Sequence, residues 1–446
     1  MIKGEPSVKS RLCARGFEEE QNFRTDSPTC SREGLRFALS VIASNKWQLN
    51  SLDVKTAFLQ GKPIEREVYV KPPKEANTRK IWKLNKTVYG LADASRNWYL
   101  KLKEELNKLG GKLSQLDPGI FAWYQNDQVY GIVILFVDDV LWGGTTQFEE
   151  IVKRLKETFH FGAENSQSFD YIGIKLNQRE DGSITISQEA YTSSLQPIML
   201  DENTKRNKNM SLDKKHVTAL RDAIGKLNWL AGMSRPEISF DVSEISSRIL
   251  TSTVADILRV NKIIKFVKTN PSYITIPSLD LKTLKIVVYT DASFGNLADG
   301  GSQGGHVIFL CDSDNNASLL SWSSNRVKRT ARNNLASETL AFNDGSDTGF
   351  YMSRLIEEIL QIKVPIHVLS DSQSLFEHIG TTKLASDRRM RVEISAIREM
   401  VEKGEISAHW IEKDYNASDI LTKKSASPKL MMSTVQEGKL HLKVSL

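Results

Sequence analysis

Apolar positions recur along this chain with two different periods, and the changes of period divide it. Over Asp93 to Leu109, Trp98, Leu102, Leu106 and Leu109 return every three or four residues, which predicts one buried helix face stopped by Gly110-Gly111. Val129 to Trp142 is instead an apolar run interrupted by Asp138-Asp139. Acidic residues form strands poorly, so this pair predicts the turn of a hairpin. Ser51 to Val54 reads as a strand end. Tyr171 to Leu176 and Ile184 to Ser187 flank Asp181-Gly182 and predict a second hairpin. Asp201 to His216 is polar and reads as a linker, and helical spacing then runs from Val217 to Val267. Asn270-Pro271-Ser272 breaks that pattern and Leu284 to Tyr289 opens a new strand, so the main boundary is expected near residues 270–283.

At 446 residues the chain is too long for one ordinary domain, and 40% hydrophobic with 26% charged residues is enough to build real cores. The apolar run ending before Asp138 is far too short to span a bilayer, so no membrane role is expected. Lys3, Glu5, Lys9 and Arg11 interrupt any secretory leader. Cys13, Cys30 and Cys311 are too few and too scattered for a disulfide framework or a zinc cluster. An intracellular, reducing setting follows, and not a secreted one.

Charge changes the picture once it is mapped. The net +6 is concentrated early: residues 1–130 hold 22 basic and 15 acidic side chains. From Lys71 to Lys112, 11 basic residues face 4 acidic ones, with Trp82, Tyr89, Trp98 and Tyr99 interleaved. Such a stretch could neutralise phosphates and stack on bases. A solvated helix face with its aromatics in the core explains the same pattern.

Two sets of carboxylates stand at element ends. Asp138-Asp139 closes one apolar run and Asp53 lies at the end of another, a grouping of oxygen ligands suited to Mg²⁺. Farther on, Asp291 ends the strand Leu284 to Asp291. Glu338 follows 47 residues later in a helical stretch, Asp371 ends the strand Ile366 to Ser370, and Asp419 follows in another predicted helix. Taken singly, each acid is explained by a turn or a helix cap. Together they can converge on one sheet edge.

These residues sit in strings that resemble a known family. Asp53 to Gly61 (DVKTAFLQG), Val88 to Tyr99 (VYGLADASRNWY), Phe136 to Asp139 (FVDD), Arg11 to Phe17, Tyr171 to Leu176 and the Ser234-Arg235-Pro236 signature resemble successive motifs of the reverse transcriptase of copia-type LTR retrotransposons. Tyr289 to Ser293 (YTDAS), Ser321 to Ser323, Ser337 to Ala341, Ser370 to Leu375 and Ser418 to Lys423 (SDILTK) resemble the ribonuclease H that follows it. The resemblance implies an α+β chain: a right-hand polymerase with partial fingers and palm (1–200) and thumb or connection helices (201–275). An RNase H-like domain with a mixed five-stranded sheet (283–424) and a C-terminal tail (425–446) would follow.

It further implies RNA-directed DNA synthesis at Asp53, Asp138 and Asp139, and hydrolysis of the RNA strand of RNA–DNA hybrids at Asp291, Glu338, Asp371 and Asp419. Each set would ligate two Mg²⁺ ions, with Mn²⁺ as a substitute, about 4 Å apart. Arg11 and Arg15 match residues that contact the triphosphate, Phe58 stands at the steric gate against the ribose 2′-hydroxyl, and Asp93 also falls at the nucleotide site. The implied partners are an RNA template, a primer, deoxynucleoside triphosphates, RNA–DNA hybrid and other Pol products such as integrase. The implied compartments are cytoplasm, virus-like particle or nucleus. Asp93 and Ser95 depart from the family's Gln and Pro, Phe136 replaces Tyr, and strands expected before Lys9 to Phe17 are not seen, so the copy reads as N-terminally truncated. The competing reading is a decayed or domesticated nucleic-acid binder, or a copy in which only the ribonuclease H works. His409 reads as a strand residue and not as a catalytic base.

Overall fold

The structure, a computed structural model, describes residues 11–381, 387–424 and 426–442. Lys3, Glu5 and Lys9 lie outside these residues, as does part of the expected tail. The chain divides into two compact units.

One unit comprises Leu49–Ser166 and the described residues before Arg32. Its six-stranded antiparallel sheet runs in the order Lys112–Leu113, Ile120–Gln125, Gln128–Phe136, Asp139–Gly144, Asn50–Val54, Phe161–Ser166. The predicted helix is present as Ala94–Lys108. Its Trp98, Leu102 and Leu106 are buried with Phe121, Trp123, Val133 and Leu135, and Leu109 packs at the margin of the same cluster. Each such side chain contributes about 1.5–3 kcal/mol through burial. Trp98 and Tyr99 are therefore core residues, and that half of the interleaved aromatics is not a stacking surface.

The predicted hairpin forms, but its turn is one residue earlier than expected. Phe136 pairs with Asp139, so Val137 and Asp138 make the turn and Asp139 is already the first residue of the returning strand. A β-branched residue carries the left-handed backbone here, with Val137 at φ 58°.

The other unit comprises Arg32–Gln48 and the described residues from Gln167 on. Its four-stranded sheet runs Tyr273–Ile276, Ile184–Ser187, Ile174–Gln178, Ser168–Tyr171. The hairpin around Asp181-Gly182 is present, with Gln178 paired to Ile184. Tyr171 to Leu176 is not one strand, however. Tyr171 pairs with Ile174 across a turn in which Ile172 and Gly173 both have positive φ. The Asp201 to His216 region is more ordered than a linker: Asp201 caps a helix Glu202–Arg206, and Asp213 accepts from the His216 backbone N–H to cap Lys214–Met233. Lys214–Met233, Ser239–Ser247 and Val254–Thr269 then bury Leu220, Leu227, Ile245, Ile257 and Val260 in one cluster.

The mixed five-stranded sheet is present in the order Ala317–Arg326, Gln303–Cys311, Lys285–Ser293, Ile366–Ser370, Ser407–Trp410. The first three strands are antiparallel, and the last two run parallel to Lys285–Ser293 and to each other. Ile286 to Ala292 are all buried, as a central strand requires. The 27-residue helix Asn334–Leu360 lies against it, at a separation set by small residues. A Cβ on Gly345 would stand 2.5 Å from Thr290 Cγ2, and one on Gly349 would stand 3.0 Å from Val288 Cγ2. Part of the expected tail forms a helix, Lys429–Glu437.

Candidate active sites

In the first unit the β-register does the gathering. Asp53 is the Cα partner of Asp139 on the adjacent antiparallel strand, and the Val54 N–H donates to the Asp138 carbonyl at 3.0 Å. The Trp98 indole N–H donates to the Val137 carbonyl at 2.7 Å, so the buried helix face braces the acidic turn. Burial pushes the Asp139 carboxyl up to about 6, and the negative charges of Asp138 and Asp53 add to the rise. Among the described residues no ion pair reaches any of the three.

The expected nucleotide-contact residues separate into groups. Phe58 is half-buried, its ring centroid 4.8 Å from that of Tyr89, and the Arg11 guanidinium stands 5.2 Å above the same tyrosine. Arg15 pairs with Glu18 at 2.7 Å and lies 5.3 Å over Phe17. Asp93 is buried and is not a free acid. Arg66 grips both of its oxygens, one at 3.1 Å, and Asn97 donates to it at 2.9 Å. Arg66 also donates to Glu19 at 2.7 and 3.0 Å and stacks 4.1 Å over Phe23. The charge at Asp93 is thus neutralised within the protein. Sequence reading missed Arg66, which sits between two acids in Glu65-Arg66-Glu67 with no spacing that points 27 residues onward.

In the second unit Asp291, Glu338 and Asp371 each bring a carboxylate oxygen within 4.8 Å of the other two, the only such acidic or ligating trio among the described residues. Asp291 comes from the central strand, Asp371 follows the neighbouring parallel strand, and Glu338 stands on the covering helix two turns before Gly345. The close approach at Gly345 and Gly349 is what lets Glu338 reach the strand. Asn416 fixes Asp371 by donating to its Oδ1 at 3.3 Å and to the Thr290 carbonyl at 3.0 Å.

Burial raises the Glu338 carboxyl to about 9, with Asp291 and Asp371 adding to the effect, and its Oε2 is buried with no hydrogen-bond partner among the described residues. Burial likewise raises Asp291, to about 6, against the pull of Lys423 and of a hydrogen bond from the Thr422 hydroxyl. Asp419 lies in a short 3₁₀ turn and not in the α-helix expected. It joins the cluster through Lys423, whose ammonium contacts both Asp419 and Asp291. Lys423 lies in the SDILTK string, but nothing in its spacing marked it as more than a surface charge.

His409 is a strand residue, as expected. Its Nε2 lies 3.0 Å from His367 Nδ1 on the neighbouring parallel strand.

Residues 3–210 match the family described as reverse transcriptase (RNA-dependent DNA polymerase). Over 93% of its length the chain is 25% identical to the retrovirus-related Pol polyprotein from transposon RE2 of Arabidopsis thaliana. Over the same share it is 26% identical to that from transposon TNT 1-94 of Nicotiana tabacum. It spans 29% and 33% of those two proteins, under half of either. Among solved structures, LC11-RNase H1 in complex with an RNA/DNA hybrid overlaps 31% of this chain and 94% of its own, at 18% identity and a TM-score of 0.25. The foamy viral protease-reverse transcriptase in complex with dsDNA overlaps 82% of this chain and 68% of its own, at 12% identity and a TM-score of 0.19. No helix among the described residues is long and apolar enough to cross a membrane. One reverse transcriptase family thus matches the first part of this chain, and retrovirus-related transposon Pol polyproteins are similar to it over nearly all of its length.

Proposed function

We propose that the chain synthesises DNA on an RNA template at Asp53, Asp138 and Asp139, and cuts the RNA strand of the resulting hybrid at Asp291, Glu338, Asp371 and Asp419. One observation carries this reading. Asp53 and Asp139 are register partners on one sheet, and Asp291, Glu338 and Asp371 bring carboxylate oxygens within 4.8 Å of one another.

The residues fit a divalent cation. The donors are hard carboxylate oxygens, Glu338 keeps one buried oxygen without a partner among the described residues, and burial, with the neighbouring negative charges adding to it, raises Asp139, Asp291 and Glu338. Divalent ions bound there, Mg²⁺ or Mn²⁺ and two to a site in the simplest form, would stabilise the charge that develops on the attacking and leaving oxygens. The protein's own part is positional. The Asp53–Asp139 register and the Trp98 brace hold the first set, and Asn416 with the Gly345 contact holds the second. Phe58, set against Tyr89, is the residue placed to exclude a ribose 2′-hydroxyl. Arg11 above the same ring, and Arg15 once released from Glu18, are the groups to meet the triphosphate. Template, primer, triphosphates and hybrid are the ligands this chemistry needs, and integrase a partner from the same polyprotein. Three scattered cysteines, too few for a disulfide framework, suit a reducing interior, in cytoplasm, nucleus or virus-like particle.

The test is primer extension on an RNA template with Mg²⁺, run beside Asp138→Asn, together with hybrid cleavage run beside Glu338→Gln. Loss of each activity in its own variant supports the reading. Equal incorporation by Asp138→Asn and the parent protein overturns the polymerase assignment, and equal cleavage by Glu338→Gln overturns the nuclease.

A further inference from the structure

A cavity of about 310 Å³ lies in the second unit, lined by the helices Ser239–Ser247 and Val254–Thr269, by the turn before the first of them, and by residues that follow Asp419. None of the acids of either set lines it. Ile238, Ile263, Phe266 and Ile420 give it apolar walls, and Phe266 is left 40% exposed. Two kinds of polar group interrupt those walls. Glu237 is an acceptor: its side chain is 4% exposed, Oε1 accepts from Arg235 Nε at 2.5 Å, and Oε2 is buried with no hydrogen-bond partner among the described residues. Burial pushes this carboxyl up, against the pull of Arg235. Lys262 and Lys424 are exposed cations, and among the described residues neither has an ion-pair partner. Arg259 and Lys423, which also line the cavity, are held by acids of their own.

We propose that this cavity binds one unpaired nucleotide, its phosphate on Lys262 and Lys424, its base along Phe266 and the N–H edge of the base on Glu237 Oε2, with guanine preferred. The site is separate from both acid sets and holds whether or not either of them is active.

Size, apolarity and charge each narrow the ligand. Pockets for small organic molecules start at about 300 Å³, so this one suits a single nucleotide and excludes a duplex. The apolar walls disfavour a bare anion, and two unpaired ammonium groups disfavour a purely apolar molecule. An aromatic ring left partly open offers a stacking surface that every base accepts. A buried acceptor without a donor is an unmet hydrogen bond, which the N–H groups of a base can complete. Guanine presents two neighbouring N–H donors on its Watson–Crick edge, whereas adenine would turn a ring acceptor toward the carboxylate. A free monophosphate and the unpaired end of a strand offer this same base and phosphate.

The experiment is equilibrium dialysis of guanosine 5′-monophosphate with the full chain in the absence of divalent ion, so that neither acid set contributes. One site per chain is expected, with adenosine 5′-monophosphate bound roughly tenfold more weakly. The double variant Lys262→Glu/Lys424→Glu, changed at exposed positions only, should weaken binding by roughly tenfold or more while its thermal melt stays cooperative. Glu237→Gln should remove the preference for guanine. If losing the pair with Arg235 unfolds that variant, Phe266→Ala takes its place and should weaken both nucleotides. Competition by an RNA–DNA duplex with one unpaired guanosine at its end, beside the same duplex blunt, separates the two sources. Stronger competition by the overhang assigns the site to a strand end, and equal competition assigns it to the free nucleotide. No binding by the parent chain, equal binding of the two nucleotides, a guanine preference that survives Glu237→Gln, or binding unchanged by Phe266→Ala or by the double lysine variant overturns the proposal.

Discussion

Asp53 and Asp139 face each other in register across two antiparallel strands, although 86 residues of chain separate them. Cα partners in such a pair stand about 4.5–5.5 Å apart, so their carboxylates share one patch of sheet edge. Asp53→Asn or Asp139→Asn should therefore abolish primer extension, by at least about a hundredfold, since a metal-held charge supplies several kcal/mol of transition-state stabilisation. Hybrid cleavage should persist in both variants, because none of its acids lies on this sheet. Rates of both reactions on the same preparations decide the matter, and parallel loss of the two would show unfolding instead.

Asp93 is a buried carboxylate, and the Arg66 guanidinium that holds both of its oxygens is what makes its charge tolerable there. Removing Arg66 leaves a buried carboxylate without its cation, an error of about 3–5 kcal/mol. Asp93→Gln is the milder change, since Arg66 keeps Glu19 at 2.7 Å. Urea denaturation should place Arg66→Ala well below the parent protein and the double variant Arg66→Ala/Asp93→Gln between them. A double variant no more stable than Arg66→Ala would mean that the pair is not the source of the loss.

The sequence made the two acid sets readable because their order along the chain is a property of the chain itself. The helix Ala94–Lys108 was readable for the same reason, since Trp98, Leu102 and Leu106 share one face. What it could not show were contacts made across the fold. Nothing in the FVDD string says whether Asp138 or Val137 takes the left-handed turn, because that depends on pairing Phe136 with Asp139 and on the Trp98 indole holding the Val137 carbonyl. Composition alone also cannot divide aromatics between core and surface: Trp98 went inside, while Tyr89 stayed partly exposed under Arg11. Likewise Lys423 and Arg66 resembled ordinary surface cations until their partners, distant in sequence, came beside them.

The contact of Gly345 with Thr290 ties Glu338 to the central strand. In Gly345→Val the first added carbon already lies 2.5 Å from Thr290 Cγ2 and 3.2 Å from Val288 Cγ1, so the helix must lift away. Overpacking of this kind costs about 1–3 kcal/mol. Hybrid cleavage should fall much further than primer extension, because the lifted helix carries Glu338. Gly225→Ala is the matched control: a Cβ there meets nothing within 4 Å, and the change should stabilise the helix Lys214–Met233 by up to about 1 kcal/mol. Equal cleavage by Gly345→Val and the parent protein would dissociate helix packing from the site.

His306 lies buried on the strand next to Lys285–Ser293, opposite Thr290. Burial pushes its pKa down to about 4, although Glu33 acts the other way. The unfolded chain takes up this proton near pH 6.5 and the folded protein only near pH 4, so between those values the unfolded state binds more protons. The neutral ring's contribution is thus complete above about pH 6.5 and is lost as the pH falls toward 4. At about 1.4 kcal/mol per pH unit, it amounts to roughly 2 kcal/mol by pH 5. Folding stability of His306→Gln and the parent protein, measured at pH 7 and pH 5 by denaturant titration, should diverge at pH 7 and converge at pH 5. Glu338 and the other raised carboxyls work in the opposite sense in both proteins, so they cancel in the difference. A gap that stays constant with pH would assign the histidine a packing role alone.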